Sequence, residues 1–426
     1  MSTITRVLDP IIDVTNNRVT WHLPNNTILG SDIKMLNIGA IVDANARRYN
    51  RFAGGLSLIK NIYLTSNGVT VDQLLDANTW TAFTESQKTH SEAMSLSRTL
   101  IGNILGLHVG DGGKLGGAPD QTGKLINTEL ATSAKCMIDV SQLLPFLKAS
   151  SMVPTTIFTN LRLTIEYDMS MIHVAGGRQD GTLTAMSTPF LVVEEMLDMD
   201  FIAKATADYR GLGFTCLERD QMFVNTNSSD NSDTDFTTDN KANSVSLESR
   251  AFQNKYVSRI VCAVKSLDVR AYLTEEGGQA VAAGGGGLGS VALLNPKFNV
   301  VVNGSNKVAG QGLVGATEIA GRLIDTWGAS STPTLAYTTS PFQDTEMYFN
   351  PQRYVGYMGW MGLSINDAVQ SLYINLDYTA QFPTDEGTAT EALWSRLNSD
   401  YNLLCFAECR KSIVVRPDKS FMISYM

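Results

Sequence analysis

The chain has 426 residues and a net charge of −9, with 43% hydrophobic and only 18% charged residues. That is long for one core and suits two domains of about 200 residues each. An acidic balance with no basic run excludes salt-sensitive wrapping of nucleic acid, and no apolar run reaches the roughly 18–20 residues that span a bilayer.

Residues 1–17 show little pattern and are expected to form an N-terminal arm. Val19 to Leu23 alternates and predicts a first strand, ended by Pro24-Asn25-Asn26. Met35 to Val42 and Gly54 to Leu64 predict two more, the latter followed by a turn at Ser66-Asn67-Gly68, where both Asn and Gly tolerate positive φ. Val71 to Phe83 reads as a helix with Leu74, Leu75, Trp80 and Phe83 on its apolar side, and Glu92 to Leu105 as another. Gly110 to Lys124 is a glycine-rich loop. Met137 to Leu147 leads through Pro154 into Asn160 to Asp168, where Leu161, Leu163, Ile165 and Tyr167 alternate with Arg162, Thr164 and Glu166. This is the period of a strand with one buried face and one wet face. Pro189 to Glu195 closes a first domain, 18–198.

The second domain, 199–426, opens with Phe214 to Val224. Asn225 to Ser244 is nearly free of apolar residues and reads as an exposed loop, with Asp230, Asp233 and Asp235 in it. Val257 to Tyr272 predicts a long strand, and Gly277 to Gly289, with Gly284 and Gly287, a second exposed insert. Phe298 to Asn303 predicts a strand, Ala316 to Leu323 a helix, and Tyr348 to Met361 is rich in aromatics. In Ser371 to Thr379 the apolar set Leu372, Ile374, Leu376 and Tyr378 repeats the alternation of the Leu161 strand, at an offset of 211. Leu58 to Leu64 resembles Ala263 to Val269, with 205 between Lys60 and Lys265. Two offsets near half the chain length suggest tandem β-domains. A short helix at Thr390 to Leu397 precedes a closing hairpin, Ile413 to Val415 and Phe421 to Met426, that ties the final residues into a sheet. Many short strands with long inserts and few helices describe sandwich or jelly-roll domains rather than a parallel α/β fold.

Five cysteines without a CxxC, namely Cys136, Cys216, Cys262, Cys405 and Cys409, read as buried free thiols in a reducing compartment. The first residues lack the apolar stretch of a secretory signal, so a soluble protein made in a cytoplasm is expected. Chemical motifs are weak. Gly310 to Gly315 matches GxGxxG, but its first glycine lies seven residues past Asn303, and Asp325 comes too soon for a ribose-binding carboxylate. Gly117 to Lys124 looks like a phosphate loop with one residue too many, and Leu125 stands where Ser or Thr would hold magnesium. The Asp230–Asp239 cluster lacks the glycine and closing glutamate of a calcium loop. His22, His90, His108 and His173 have no partner at metal-ligand spacing. Trp327, Tyr348, Phe349, Tyr354, Tyr357, Trp360 and Trp394 could form a carbohydrate platform but read more simply as packing. No catalytic residue, cofactor or metal site is predicted.

Arg51 to Phe83 resembles the hexon-type major capsid proteins of polinton-like viruses, adintoviruses and virophages, in its apolar strand, Asn67-Gly68 turn and following Val71-Asp72-Gln73-Leu74-Leu75-Asp76. Leu144 to Leu147, followed by Ile157 to Tyr167, is similar to a later strand of that family. The resemblance implies a mainly β double jelly roll, two eight-stranded sandwiches with short helices and long loop inserts. It further implies homotrimeric pseudo-hexagonal capsomers in an icosahedral DNA-virus shell, contacting neighbouring capsomers and penton and minor capsid proteins, with no sequence-specific nucleic-acid contact. Outer towers would come from the Asn225–Ser244 and Gly277–Gly289 inserts, and the arm would lie inside or against a neighbour. The competing class is a receptor- or carbohydrate-binding attachment protein. A cupin-like enzyme would need a metal that the histidine spacing does not support.

Overall fold

A computed structural model describes residues 3–15, 17–38, 56, 59–86, 136–167, 189–225, 241–266, 292–327, 360–381 and 400–425. In chain order the first half runs β1 (Thr3–Leu8), β2 (Ile12–Thr15), β3 (Arg18–His22), β4 (Ile28–Gly30), β5 (Lys34–Ile38), β6 (Ile59–Ser66), β7 (Val69–Leu74), helix α1 (Ala77–Ser86), β8 (Cys136–Asp139), a 3₁₀ turn (Val140–Gln142), α2 (Pro145–Ala149), β9 (Met152–Pro154), β10 (Leu161–Tyr167) and β11 (Phe190–Met196). Helix α3 (Met199–Asp208), capped by Asp198 accepting from the Phe201 N–H at 3.2 Å, leads to the second half. There follow β12 (Gly211–Asn225), β13 (Lys241–Ser249), β14 (Lys255–Ser266), β15 (Ala292–Val302), β16 (Ser305–Asn306), β17 (Leu313–Val314), α4 (Ala316–Trp327), β18 (Trp360–Val369), β19 (Leu372–Gln381), β20 (Asp400–Val415) and β21 (Phe421–Tyr425).

The second half forms two antiparallel sheets, β12-β20-β14-β18 with β21 on β20, and β13-β19-β15 with β16 and β17 on β15. Counted as eight principal strands, with β16 and β17 as the fifth, the sheets run one-eight-three-six and two-seven-four-five, the jelly-roll order. The first half repeats it. β1 pairs with β11, which continues through β4 and β5 to β9 and β8, while β2-β3-β10-β6-β7 makes the other sheet. The chain is mainly β, built as two tandem jelly rolls.

β10 and β19 occupy the same seventh position, and the register around them is duplicated residue by residue. Ile165 lies between Val19 and Ile62, as Leu376 lies between Val245 and Phe298. Leu163 lies between Trp21 and Leu64, as Ile374 lies between Leu247 and Val300. All of these side chains are buried. Each contributes about 1.5–3 kcal/mol by leaving water. The hairpin leaving each fourth strand also recurs: Asn67 and Gly68 (φ 48° and 82°) match Asn303 and Gly304 (φ 52° and 78°), the left-handed pair of a two-residue turn.

Several expectations are corrected. The N-terminal stretch is not a patternless arm. β1 pairs with β11 from Thr3↔Met196 to Leu8↔Leu191, and Arg6 meets Glu195 at 2.9 Å. As an edge strand exposed along its length it carries no alternation to read. Val71–Leu74 is strand β7, not helix; only Ala77 onward is helical. The tail of the polar insert, Lys241–Ser244, is paired as part of β13. The Lys60/Lys265 match is not a structural equivalence, because β6 is a fourth strand and β14 a third, in the opposite sheet. The partner of β6 is β15. The polar face of β10 is also not simply wet: Thr164 is buried and its hydroxyl shares a hydrogen bond with that of Thr20 at 3.1 Å.

The glycines of the GxGxxG match serve the backbone. Gly310, Gly312 and Gly315 all have φ between 75° and 88°, and a Cβ on Gly312 would lie 2.7 Å from the Phe298 carbonyl oxygen. They bring β17 back along β15 before α4. Cys216, Cys262, Cys405 and Cys409 are free and buried. The expected helices at Glu92–Leu105 and Thr390–Leu397 and the loop Gly110–Lys124 lie outside the described residues.

Candidate functional site

Where the two jelly rolls meet, each contributes an aromatic-bearing helix. α1 of the first carries Trp80 and Phe83; α4 of the second carries Trp327. The Trp80 and Trp327 rings are 5.5 Å apart, Phe83 and Trp327 5.7 Å at 88°, and Trp80 also meets Phe406 of β20 at 5.4 Å. Such tilted and edge-to-face contacts add about 0.5–1.5 kcal/mol per pair beyond burial. Trp327 is held on its other side. Its Nε1–H donates to the Ile260 carbonyl at 2.9 Å, and the Arg259 guanidinium lies 4.0 Å from its ring centre. Arg259 is itself fixed by Glu408, with bonds of 2.6 and 2.8 Å, and donates to the Thr326 carbonyl at 2.7 Å. α4 can lie this close to β18 because Gly362 has no side chain: a Cβ there would sit 2.4 Å from Leu323 Cδ1 and 2.8 Å from Trp327 Cδ1.

A second patch of the junction is built on α2. Phe146 meets Phe214 of β12 at 5.7 Å, and Phe158 meets Phe421 of β21 at 5.1 Å. Asp76 and Arg219 form an ion pair across it. Within this apolar setting Asp72 of β7 is fully buried. It accepts from the Phe146 N–H at 2.7 Å and the Gln73 N–H at 2.9 Å. The N-cap residue of α2, Leu144, offers no side-chain oxygen, so Asp72 supplies the cap from a distant strand. Lys411 of β20, only 3% exposed, faces the Phe214 and Tyr425 rings. Tyr425 donates to Glu218 at 2.7 Å, and Glu218 also pairs with Lys255 at 3.1 Å.

Burial pushes the Asp72 carboxyl up to about 6, against the opposing pull of the Phe146 N–H and the Lys411 charge. Its folded pKa therefore lies above its unfolded one, folding takes up a proton, and stability falls as pH rises from about 4 to about 6. The effect is at most about 3 kcal/mol. In Asp72→Asn the amide oxygen can still accept from Phe146, so this part of the pH dependence should vanish. Urea midpoints at pH 4.5 and pH 7 for both proteins check it; an unchanged difference between the two pH values would contradict the assignment.

No protein-family model matches the chain, and no curated protein is significantly similar in sequence. Solved structures are similar. The crystal structure of the mavirus major capsid protein aligns with TM-score 0.53 at 10% identity, covering 99% of this chain and 90% of that one. PBCV-1 VP54, fitted into a cryo-EM reconstruction of the virophage Sputnik, aligns with TM-score 0.50 at 10% identity, covering 100% and 97%. The chain has the double jelly-roll fold of viral major capsid proteins.

Within the double jelly roll, Leu161, Leu163, Ile165, Leu372, Ile374 and Leu376 are fully buried and Tyr167 is nearly so. Tyr378 lies in β19, with its side chain outside the described residues. Asp230, Asp233, Asp235, Gly284 and Gly287, and the inserts that carry them, also lie outside. Of the aromatics considered as a carbohydrate platform, Trp327 is committed to the junction and Trp360 begins β18; the others fall outside the described residues. Among those described, no group of three His, Cys, Asp or Glu could hold a metal ion, and no helix is long and apolar enough to cross a membrane. The pairing of Trp80 with Trp327 was not legible, since neither sits in a local motif and 247 positions separate them. The adjacent aromatics on an otherwise polar helix α1 were the available signal.

Proposed function

We propose that the chain is a major capsid protein whose homotrimers form the pseudo-hexagonal capsomers of an icosahedral DNA-virus shell. What carries this reading is the likeness of both halves together, over nearly the full length, to the mavirus major capsid protein. Two jelly rolls of one topology per chain give six per trimer, which tile a hexagonal lattice. The division falls between residues 198 and 199, where α3 links the rolls. The aromatic junction sets the angle between them, which a lattice of modest contacts per capsomer needs fixed. The work of the molecule is assembly; its site is the virion shell after synthesis in the host cytoplasm, and its partners are its own copies, then penton and minor capsid proteins. The Asn225–Ser244 and Gly277–Gly289 inserts, with Asp230, Asp233, Asp235, Gly284 and Gly287, are assigned to the outer towers.

Light scattering on the purified protein, with negative-stain images of the same peak, tests this. Three copies of the 46.3 kDa chain give a particle of about 139 kDa with a hexagonal outline. A monomer or dimer at every concentration would overturn the trimer and favour an attachment protein, for which a glycan-binding screen is the next measurement.

A further inference from the structure

The central strand β20 carries one cysteine toward each of its neighbours. Cys405 stands directly opposite Cys262 of β14, and Cys409 directly opposite Cys216 of β12. The two pairs are not alike. The sulfurs of Cys262 and Cys405 are in contact at 3.2 Å, and both side chains are fully buried. Cys216 instead directs its thiol to Glu218 Oε1 at 3.8 Å. A disulfide needs Cα atoms about 4.4–6.8 Å apart and Cβ atoms that point toward each other. Opposed residues of an antiparallel ladder lie about 4.5–5.5 Å apart, and the sulfur contact shows that these two side chains already converge. Closure from 3.2 Å to the bonded distance of about 2.05 Å is a motion of the side chains, within reach of the existing ladder. Burial holds the Cys405 thiol well above its ordinary pKa, and the adjoining Cys262 adds to this, so the pair keeps its protons and reacts slowly.

We propose that Cys262 and Cys405 are a redox latch, a dithiol that hydrogen peroxide converts to a disulfide joining β14 to β20. Peroxide is close to water in size and suits a buried pair that a bulky disulfide reagent cannot reach. One sulfur, as thiolate, attacks a peroxide oxygen: an S–O bond forms, the O–O bond breaks, and the departing hydroxide takes up the thiol proton as water. The second sulfur then displaces the oxygen of that sulfenic acid: the S–S bond forms, the S–O bond breaks, and the second thiol proton leaves in another water. The two thiols give up two electrons and the peroxide accepts two. The bond ties β20 to a strand 143 positions earlier and removes the freedom of that long loop from the unfolded chain. Placing the event in a shell that passes from a reducing cell to an oxidising medium rests on the proposed function. The chemistry does not, and its test needs no assembly.

The full-length protein, in its native oligomeric state, is treated with hydrogen peroxide, quenched with catalase, alkylated in denaturant and digested with trypsin and a glutamate-specific protease. Cleavage at Arg259, Lys265 and Glu408 puts Cys262, Cys405 and Cys409 on separate peptides for mass spectrometry. A peptide pair linked through Cys262 and Cys405 is expected from most chains, reversed by a phosphine reductant, with Cys216 and Cys409 still alkylated. The melting temperature of the linked protein should rise by about 10 °C, and peroxide should produce no such rise in Cys262→Ala. Cys262 and Cys405 still alkylated after prolonged peroxide, their conversion to sulfinic or sulfonic acid, or a Cys216–Cys409 link in place of theirs would each overturn the proposal. So would a linked protein that melts no higher than the reduced one. The peptide map is read on the unsubstituted protein, so it decides even if Cys262→Ala fails to fold.

Discussion

Ile165→Asp is expected to leave no soluble folded protein. Ile165 is fully buried at the centre of β10, with Val19 and Ile62 directly opposite on either side. A carboxylate there has no partner on the β3 and β6 neighbours, and an unpaired buried charge is among the few single changes that cost more than about 4–5 kcal/mol. Total domain stability is only about 5–15 kcal/mol. The measurement is the soluble fraction after expression, with circular dichroism of whatever remains. Ile165→Val is the control: it removes one methylene, costs about 0.5–1.5 kcal/mol, and should keep the yield. Soluble Ile165→Asp with the melting curve of the parent would show that the buried face of β10 is wrongly assigned. The duplicated register makes the same forecast for Leu376→Asp in the second roll.

Trp327→Ala is expected to separate the unfolding of the two jelly rolls. The substitution deletes the rings' contacts with Trp80 and Phe83, the bond to the Ile260 carbonyl and the stacking partner of Arg259. Truncation of a packed aromatic costs about 3–5 kcal/mol. The loss falls at the junction, so calorimetry should show the single transition of the parent broaden or split, with both halves still folded at low temperature. Trp327→Phe keeps a ring against Trp80 but not the Nε1 bond, and should lie between the two. A uniform drop in one sharp transition would mean that α4 stabilises only its own sandwich and that coupling resides in the α2 patch.

Much of the architecture was legible because its signal is local. Alternation in β10 and β19 reports a half-buried strand whatever surrounds it, and those two strands prove to hold equivalent positions. The Asn67-Gly68 turn was legible for the same reason. Its counterpart Asn303-Gly304 carries the identical dipeptide, yet a fixed repeat period hid it. The offset between matched strands is 226 from Val19 to Val245, 236 from Ile62 to Phe298 and 211 from Leu163 to Ile374, since connections differ in length between the halves. At a single period Lys60 and Lys265 therefore fall into register although their strands are not equivalent. β1 was illegible because an exposed edge strand needs no apolar face. Val71–Leu74 reads as helix because its two apolar residues, Val71 and Leu74, are three apart, the spacing of a helix face, and the Asp72 cap on α2 depends on a contact 74 residues away. The junction itself follows from packing between distant segments, which no local pattern encodes.

The position of β20 and β21 in the chain has a consequence for how the protein is made. β20 is paired with β12, β14 and β21, and β21 carries Phe421 to the first sandwich. These strands leave the ribosome after every other described element. The first roll, closed by β1 and β11, can fold while synthesis continues, whereas the second has an open gap between β12 and β14 until β20 arrives. A chain cut short before β20 thus presents two unfilled strand edges and a junction without Phe406 and Phe421. Folding of the second roll is therefore withheld until β20 has been synthesised.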